Sequence, residues 1–355
     1  MAKLFEPLKI KNVTLKNRIA VSPMCQYSAM DGFANDWHLI HLGSRAVGGA
    51  ALIITESTAV SPEGRISPDD LGIWKDEHIP PLQHITSFLA SQQCVAGVQL
   101  SHAGRKASTL APQRGRGKLP ESAGGWQALA PSPIPYSDDY PNPVAMDLSD
   151  IEKVIGDFTA AAKRASSAGF DVIEIHAAHG YLLHQFLSPL TNHRTDQYGR
   201  GFNGRIRLLL EVIDGIRSVW PQDRPLFVRI TGTDWVDGGL AMEDAIKISE
   251  VLKYNGVDLV DVTTGGLVSQ QEIPVGFGYQ LPFASNIKKQ TGVLTGTVGL
   301  ITEAAQAETI LANGDADMVM MAWEMLRDPY FPMRAAAVVH ADIIWPHQYE
   351  RAKPT

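Results

Sequence analysis

The sequence predicts a single (β/α)8 TIM barrel. Short β-branched runs alternate with longer stretches of helical periodicity, eight such runs can be counted, and the residues just past their ends are rich in reactive polar side chains. The first fifteen or so residues, with Asn12-Val13-Thr14 between apolar stretches, predict a small N-terminal hairpin that closes the barrel's bottom. Strands are expected at 18–21, 51–55, 95–100, 171–176, 225–230, 259–262, 293–295 and 317–321. Helical segments follow them, for example at 149–168 after the third strand and 242–255 after the fifth. A doubly wound open sheet is the competing layout, but its Gly-rich phosphate turn belongs after the first strand, where this chain reads Ser22-Pro23-Met24-Cys25. Two long segments, 105–144 and 188–203, follow strands at the C-terminal face and are expected to act as substrate loops or lids. The whole of 1–355 reads as one domain.

Composition narrows the function classes. With 355 residues, 45% of them hydrophobic, the chain can bury a large core. Its net charge of -7 points away from nucleic acid and anionic membranes and toward small-molecule partners. Residues 1–16 mix Lys, Glu, Pro and Asn with single apolar residues, a pattern of neither a signal peptide nor a membrane span, so a cytoplasmic protein is expected. Its 2 cysteines, Cys25 and Cys94, are too few for a disulfide framework or an iron–sulfur cluster.

The chemistry concentrates at the expected strand ends. The first runs into Ser22-Pro23-Met24-Cys25-Gln26-Tyr27, the third carries Gln99-Leu100-Ser101-His102-Ala103-Gly104-Arg105-Lys106, and the fourth ends in His176-Ala177-Ala178-His179-Gly180-Tyr181. Arg229 closes the fifth. His176 and His179, spaced across a turn, can both donate N–H to one carbonyl or nitro oxygen and so polarise an attached double bond, while Tyr181 can supply a proton. The competing readings are a helix-capping histidine beside a packing one, or a metal site. No third ligand follows at helical spacing, which disfavours the metal.

Together with Phe186-Leu187-Ser188-Pro189-Leu190-Thr191-Asn192-His193-Arg194-Thr195-Asp196, these strings resemble the old yellow enzyme family of FMN-dependent ene reductases. The likeness is to its bacterial, thermophilic-like branch with a cysteine at the end of the first strand, and it covers nearly the whole chain. The resemblance implies tight, non-covalent FMN and NADPH or NADH as hydride donor. Ser22, Pro23, Met24, Cys25 and Ser57 would then line the flavin. The Cys25 thiol would tune its potential, whereas Cys94 reads as a buried inert thiol. Gln99 suits the pyrimidine edge, and Arg229 places a fixed charge where the reduced flavin is anionic; an ion pair inside the barrel is the second reading of Arg229. Tyr27 would line the substrate side.

Gly296 and Thr297, in Thr295-Gly296-Thr297-Val298-Gly299, fit a phosphate loop after the seventh strand. After the eighth strand the family's usual Gly-Arg pair is replaced by Ala322-Trp323, which removes a charge-assisted partner for the phosphate. Arg200, in Tyr198-Gly199-Arg200-Gly201, stands where a glycine is usual and would be strained if φ there is positive; Ser57 stands where alanine is common. Gln348-Tyr349-Glu350-Arg351 matches a motif that sends an arginine into a neighbouring subunit's site, so 340–355 is expected to reach a partner in a homodimer or homotetramer.

The expected reaction is reduction of the C=C bond of α,β-unsaturated carbonyl or nitro compounds, with His176 and His179 holding the activating oxygen and Tyr181 protonating the α-carbon. The alternatives are an FMN-deficient barrel that binds ligands, a His-based metal hydrolase, and a dienoyl-CoA reductase, which would need an iron–sulfur site and further domains.

Overall fold

The computed structural model describes residues 2–354. Eight parallel strands close into a barrel: β1 (Ile19–Val21), β2 (Leu52–Ala59), β3 (Val95–Ser101), β4 (Val172–Ala177), β5 (Leu226–Thr231), β6 (Leu259–Thr263), β7 (Leu294–Thr297) and β8 (Met318–Met321), with β8 pairing back onto β1. The crossover helices are α1 (Asp36–Val47), α2 (Ile79–Ser91), α3 (Leu148–Ser167), α4 (Phe202–Val219), α5 (Met242–Tyr254), α6 (Leu281–Thr291), α7 (Ala304–Ala312) and α8 (Phe331–Val338). Every strand expected from the sequence is present. The largest boundary difference is at β2, which runs past 55 to Ala59 because a register shift between Ile54 and Ser57 inserts a bulge. Thr58 stabilises the bulge by donating to the Glu56 carbonyl at 2.7 Å.

The hairpin forms as expected, Leu8–Ile10 pairing antiparallel with Val13–Leu15. Its turn passes through Lys11 at φ 51, and the Asn12 N–H donates to the Asp223 carbonyl at 3.1 Å. Leu8, Ile10 and Leu15 pack in one buried cluster with Ala20, Leu52, Val172, Phe227, Leu259 and Met318. These strand residues lie at the N-terminal ends of their strands, so the hairpin plugs that mouth with apolar surface and leaves the opposite mouth for polar groups. A second, larger cluster packs the outer faces of the strands against the helices, with Phe158, Ile173, Ile213, Val228, Ile248 and Ile287 among its members. No helix among the described residues is long and apolar enough to cross a membrane.

Segment 105–144 is an irregular run containing the 3-10 turns Pro112–Arg114 and Glu121–Ala123, and its short strand Leu129–Ala130 pairs with Val144–Ala145. Arg105 is only 2% exposed without a carboxylate partner; its guanidinium donates to the carbonyls of Ile134 (3.2 Å), Pro135 (3.2 Å) and Leu267 (2.6 Å). That one cation therefore fixes this segment to the loop after β6.

Before α4, Arg200 adopts φ 60, the left-handed conformation in which a Cβ is strained. The neighbouring backbone is tight: a Cβ on Gly204 would lie 1.7 Å from the Gly199 carbonyl oxygen. Relief of strain at Arg200, partly offset by a more flexible unfolded chain, sets the expectation that Arg200→Gly raises stability by about 0.5 kcal/mol. Urea denaturation checks this: the midpoint should rise with an unchanged slope, and a lower midpoint would mean that Arg200 makes contacts worth more than its strain.

Candidate active site

Along β4, β5 and β6 the residues two apart share the inner face and change character from bottom to top. Val172, Glu174 and His176 succeed one another on β4, Phe227, Arg229 and Thr231 on β5, and Leu259, Asp261 and Thr263 on β6. Above the apolar plug there is thus a buried ionic layer, and above that a ring of histidine and hydroxyl groups.

In the ionic layer Gln99 donates from Nε2 to Glu174 Oε1 at 2.8 Å, leaving its own Oε1 as an acceptor, and Arg229 Nε lies 3.1 Å from Asp261 Oδ2. Arg229 thus makes the internal ion pair that ranked second in the sequence reading. All four side chains are buried, and there are two carboxyls for one guanidinium. Burial, then the Asp261 charge, pushes the Glu174 carboxyl up to about 8, so Glu174 holds a proton near neutrality. Neither Glu174 nor Asp261 was singled out from the sequence. The alternation Val172-x-Glu174-x-His176 is the signal that could have found Glu174, because it sets a carboxyl on the same face as the histidine.

The upper ring holds the histidine pair. His176 Nδ1 accepts from the Ala178 N–H at 3.3 Å, which leaves its Nε2–H to donate elsewhere. His179 sits at φ 56, with its N–H on Thr231 Oγ1 (3.2 Å) and its Nε2 2.9 Å from Thr263 Oγ1. Thr263 in turn donates to Gln280 Oε1 at 2.9 Å, so it accepts from His179 and orients that ring. The His176 ring stands edge-on to both neighbours, with centroids 5.2 Å from His179 and 4.8 Å from Tyr181. Burial and the Arg229 charge hold both imidazoles well below the usual histidine pKa, and burial pushes the Tyr181 phenol well above its usual range. At neutral pH the site therefore presents two neutral imidazoles and a protonated phenol.

Lys106 ties this turn to the next loop. Its ammonium donates to the His179 carbonyl at 2.8 Å and to the Gly266 carbonyl, and it lies 4.2 Å from the Tyr136 ring centroid and 5.7 Å from that of Tyr181. Burial and the adjacent Arg105 lower its pKa to about 7. Gly266 must be glycine here, because its φ is +87 and a Cβ would lie 2.7 Å from the His179 Cα.

The residues after β1 face the same space. Tyr27, at φ 49, and Cys25 pack with Tyr181 and Trp126 against Ile66, Ala103, Ala107 and Ala128, so segment 105–144 covers this side. Gln113 Nε2 from that segment donates to the Tyr27 carbonyl at 3.0 Å. Burial raises the Cys25 pKa well above normal, so Cys25 is a thiol and not a thiolate. The β2 bulge turns Glu56 toward this loop, where it accepts from the Gln26 N–H at 2.8 Å. Ser57 follows in the bulge and is buried. Cys94 is buried at the start of β3, apart from the site.

At the other side stand Gly296 and Thr297 on β7, and Ala322 and Trp323 beyond β8, with Trp323 65% exposed at the start of a short helix, Trp323–Arg327. Arg351 is not brought to these groups. Residues 342–348 instead line a cavity of about 440 Å³ with Asn17, Gly49 and Gln92, which precede β1, β2 and β3 at the opposite end of the barrel.

Beneath the histidine turn lies a buried pair missed from sequence. His184 Nδ1 accepts from the Gly180 N–H at 2.9 Å, and its Nε2 lies 2.9 Å from Asp234 Oδ1, both side chains being 0% exposed. Asp234 also accepts from Ser188 Oγ and the Leu240 N–H, each at 2.8 Å. Burial opposes its ionisation, but His184 and these donors outweigh that and hold its carboxyl below the usual carboxylate range. The folded-state value is depressed, so this group's contribution is complete above the unfolded pKa and lost as pH falls through the folded one. Acid unfolding below about pH 4 should therefore be shallower in Asp234→Asn, whose stability at neutral pH should already be roughly 1–3 kcal/mol lower. Urea titrations at several pH values check this, and an unchanged pH slope would remove Asp234 from the account.

The description NADH:flavin oxidoreductase / NADH oxidase family matches residues 3–341. Proteins named NADPH dehydrogenase from Listeria welshimeri and Bacillus subtilis are 48% and 47% identical to the chain; the alignments cover 99% of both chains in the first case and 98% of both in the second. Morphinone reductase in complex with tetrahydroNAD superposes with a TM-score of 0.80 at 26% identity, covering 97% of this chain and 92% of that one. A 2-naphthoyl-CoA reductase gives a TM-score of 0.86 at 26% identity over 96% of this chain, which spans 52% of that protein. The chain belongs to the NADH:flavin oxidoreductase / NADH oxidase family and is an FMN-dependent NAD(P)H oxidoreductase.

Proposed function

We propose that the chain reduces the C=C bond of α,β-unsaturated carbonyl or nitro compounds at the mouth formed by β1, β3, β4 and β5. The observation that carries this reading is the convergence of His176, His179 and Tyr181 directly above the layer that contains Arg229. A polar, ring-shaped cofactor suits the surroundings. Ser22 Oγ, Glu174 Oε2, Thr295 Oγ1 and Thr297 Oγ1 are all buried without a hydrogen-bond partner among the described residues, on or just past three different strands. On this reading Ser22, Pro23, Met24, Cys25 and Ser57 line FMN. Gln99 and Arg229 meet its pyrimidine edge, and Gly296, Thr297, Ala322 and Trp323 border its phosphate. FMN when bound accepts hydride from the nicotinamide and delivers it to the alkene.

The protein's own contribution is placement and proton control. His176, whose Nδ1 is already occupied, donates Nε2–H to the substrate oxygen, and His179 flanks the same oxygen in an orientation set by Thr263. Both rings are neutral and the one N–H of His179 is already given to Thr263, so His176 is the donor of the pair, and it donates without trapping a negative substrate as a permanent ion pair. Tyr27 lines the substrate side. Tyr181, kept protonated by burial, gives its Oη proton to the α-carbon. Segment 105–144 acts as a lid over Tyr27 and Tyr181 and excludes water. Arg351, remote from its own site, serves the site of a second copy in a homodimer or homotetramer.

The visible spectrum provides the test. The flavin band should bleach on anaerobic NADPH addition and return with cyclohexenone. Tyr181→Phe should leave the NADPH step unchanged and slow the enone step by about 10²-fold or more, the usual worth of a positioned general acid. Full enone turnover in that variant would remove Tyr181 as the proton donor.

A further inference from the structure

We propose that Arg327 supplies the cation for the FMN phosphate that position 323 lacks; this rests on the FMN reading above. A cavity of about 220 Å³ opens between the loops after β7 and β8, bordered by Gly299, Leu300, Ala322, Trp323, Glu324 and Arg327. This is where barrels hold phosphate groups. Three features fit that ligand. Gly299, at φ +125, turns the chain, and the N–H groups of Gly299, Leu300 and Ala322 donate to no protein acceptor among the described residues. Trp323 contributes one uncharged N–H at most, so it cannot neutralise a phosphate. Arg327 is the one Lys or Arg side chain on the cavity wall.

Arg327 is also free to serve. It is held by Glu324 alone, with Nη2 at 2.7 Å and Nε at 3.2 Å from Oε2, and its side chain remains 58% exposed. A guanidinium has five N–H donors, so Nη1 and the second hydrogen of Nη2 remain for a phosphate while the Glu324 contact is kept. Glu324, the acidic wall residue, lowers the net positive field of the cavity, which makes the site weaker than one with a second arginine.

The measurement compares FMN with riboflavin, which lacks the phosphate. Protein stripped of flavin is titrated with each ligand by quenching of flavin fluorescence, and the ratio of the two Kd values isolates the phosphate's share. Riboflavin affinity serves as the internal control for folding. In the unmodified chain FMN should bind more tightly. Arg327→Gln should shrink that preference by roughly tenfold, the scale of one partly exposed charge-assisted hydrogen bond, with riboflavin affinity unchanged. Trp323→Arg should widen the preference and should restore it when added to Arg327→Gln. A preference that Arg327→Gln leaves intact overturns the inference, as does equal affinity for the two flavins in the unmodified chain. Failure to bind either flavin would instead overturn the FMN reading itself.

Discussion

The constraint on which the rest of the site depends is the ionic layer across the middle of the barrel. Asp261 and Arg229 neutralise one another at 3.1 Å, and Glu174, bonded to Gln99, is the surplus carboxyl. Burying an unpaired carboxylate costs several kcal/mol, so the layer stays near neutral by keeping Glu174 protonated. That solution has a consequence for chemistry. A layer with no net charge lets Arg229 present a cation upward without drawing water into the core. Burial first, and then this same cation, holds His176 and His179 well below the usual histidine range.

The histidine turn is held from three directions, each through backbone. Lys106 grips the His179 carbonyl, His184 grips the Gly180 N–H, and Gly266 packs against the His179 Cα with no room for a side chain. The left-handed conformation of His179 costs about 1–2 kcal/mol, and these contacts are what offset it. Asp234 fixes His184, and Arg105 fixes the loop that carries Leu267, so a buried acid and a buried cation away from the histidine pair set the backbone from which the two imidazoles project.

How legible this was in the sequence depended on periodicity. The eight strands, the hairpin, and the residues at the strand ends were readable because strands alternate with period two and reactive groups gather past their C-terminal ends. Ser22, Cys25 and Tyr181 lie just past strand ends, and Gln99, His176 and Arg229 within the last three residues of their strands. Glu174 and Asp261 escaped notice because a single acid inside an apolar run carries no local mark of its partner, and that partner lies on another strand. His184 and Asp234 were illegible for the same reason: they are 50 residues apart, and only the closed barrel brings them to 2.9 Å. The β2 bulge was hidden too, since Leu52–Ala59 reads as an unbroken strand and only its pairing with β3 shows the slip.

The two ends of the proposed cofactor site differ in dielectric surroundings, and this bears on how each tolerates change. Arg229 is 4% exposed, where a charge is poorly screened and any unbalanced neighbour is costly. Arg327 and Trp323 lie at the surface, where salt and water screen charge within about 10 Å and a pair is worth little more than 1 kcal/mol. On the proposed reading, a position 323 without an arginine is therefore tolerable in a way that loss of Arg229 is not. The ring end is fixed by a network in which each charge needs the others. The phosphate end needs only some cation within reach of a few free N–H groups, and a neighbour one helical turn along can provide it.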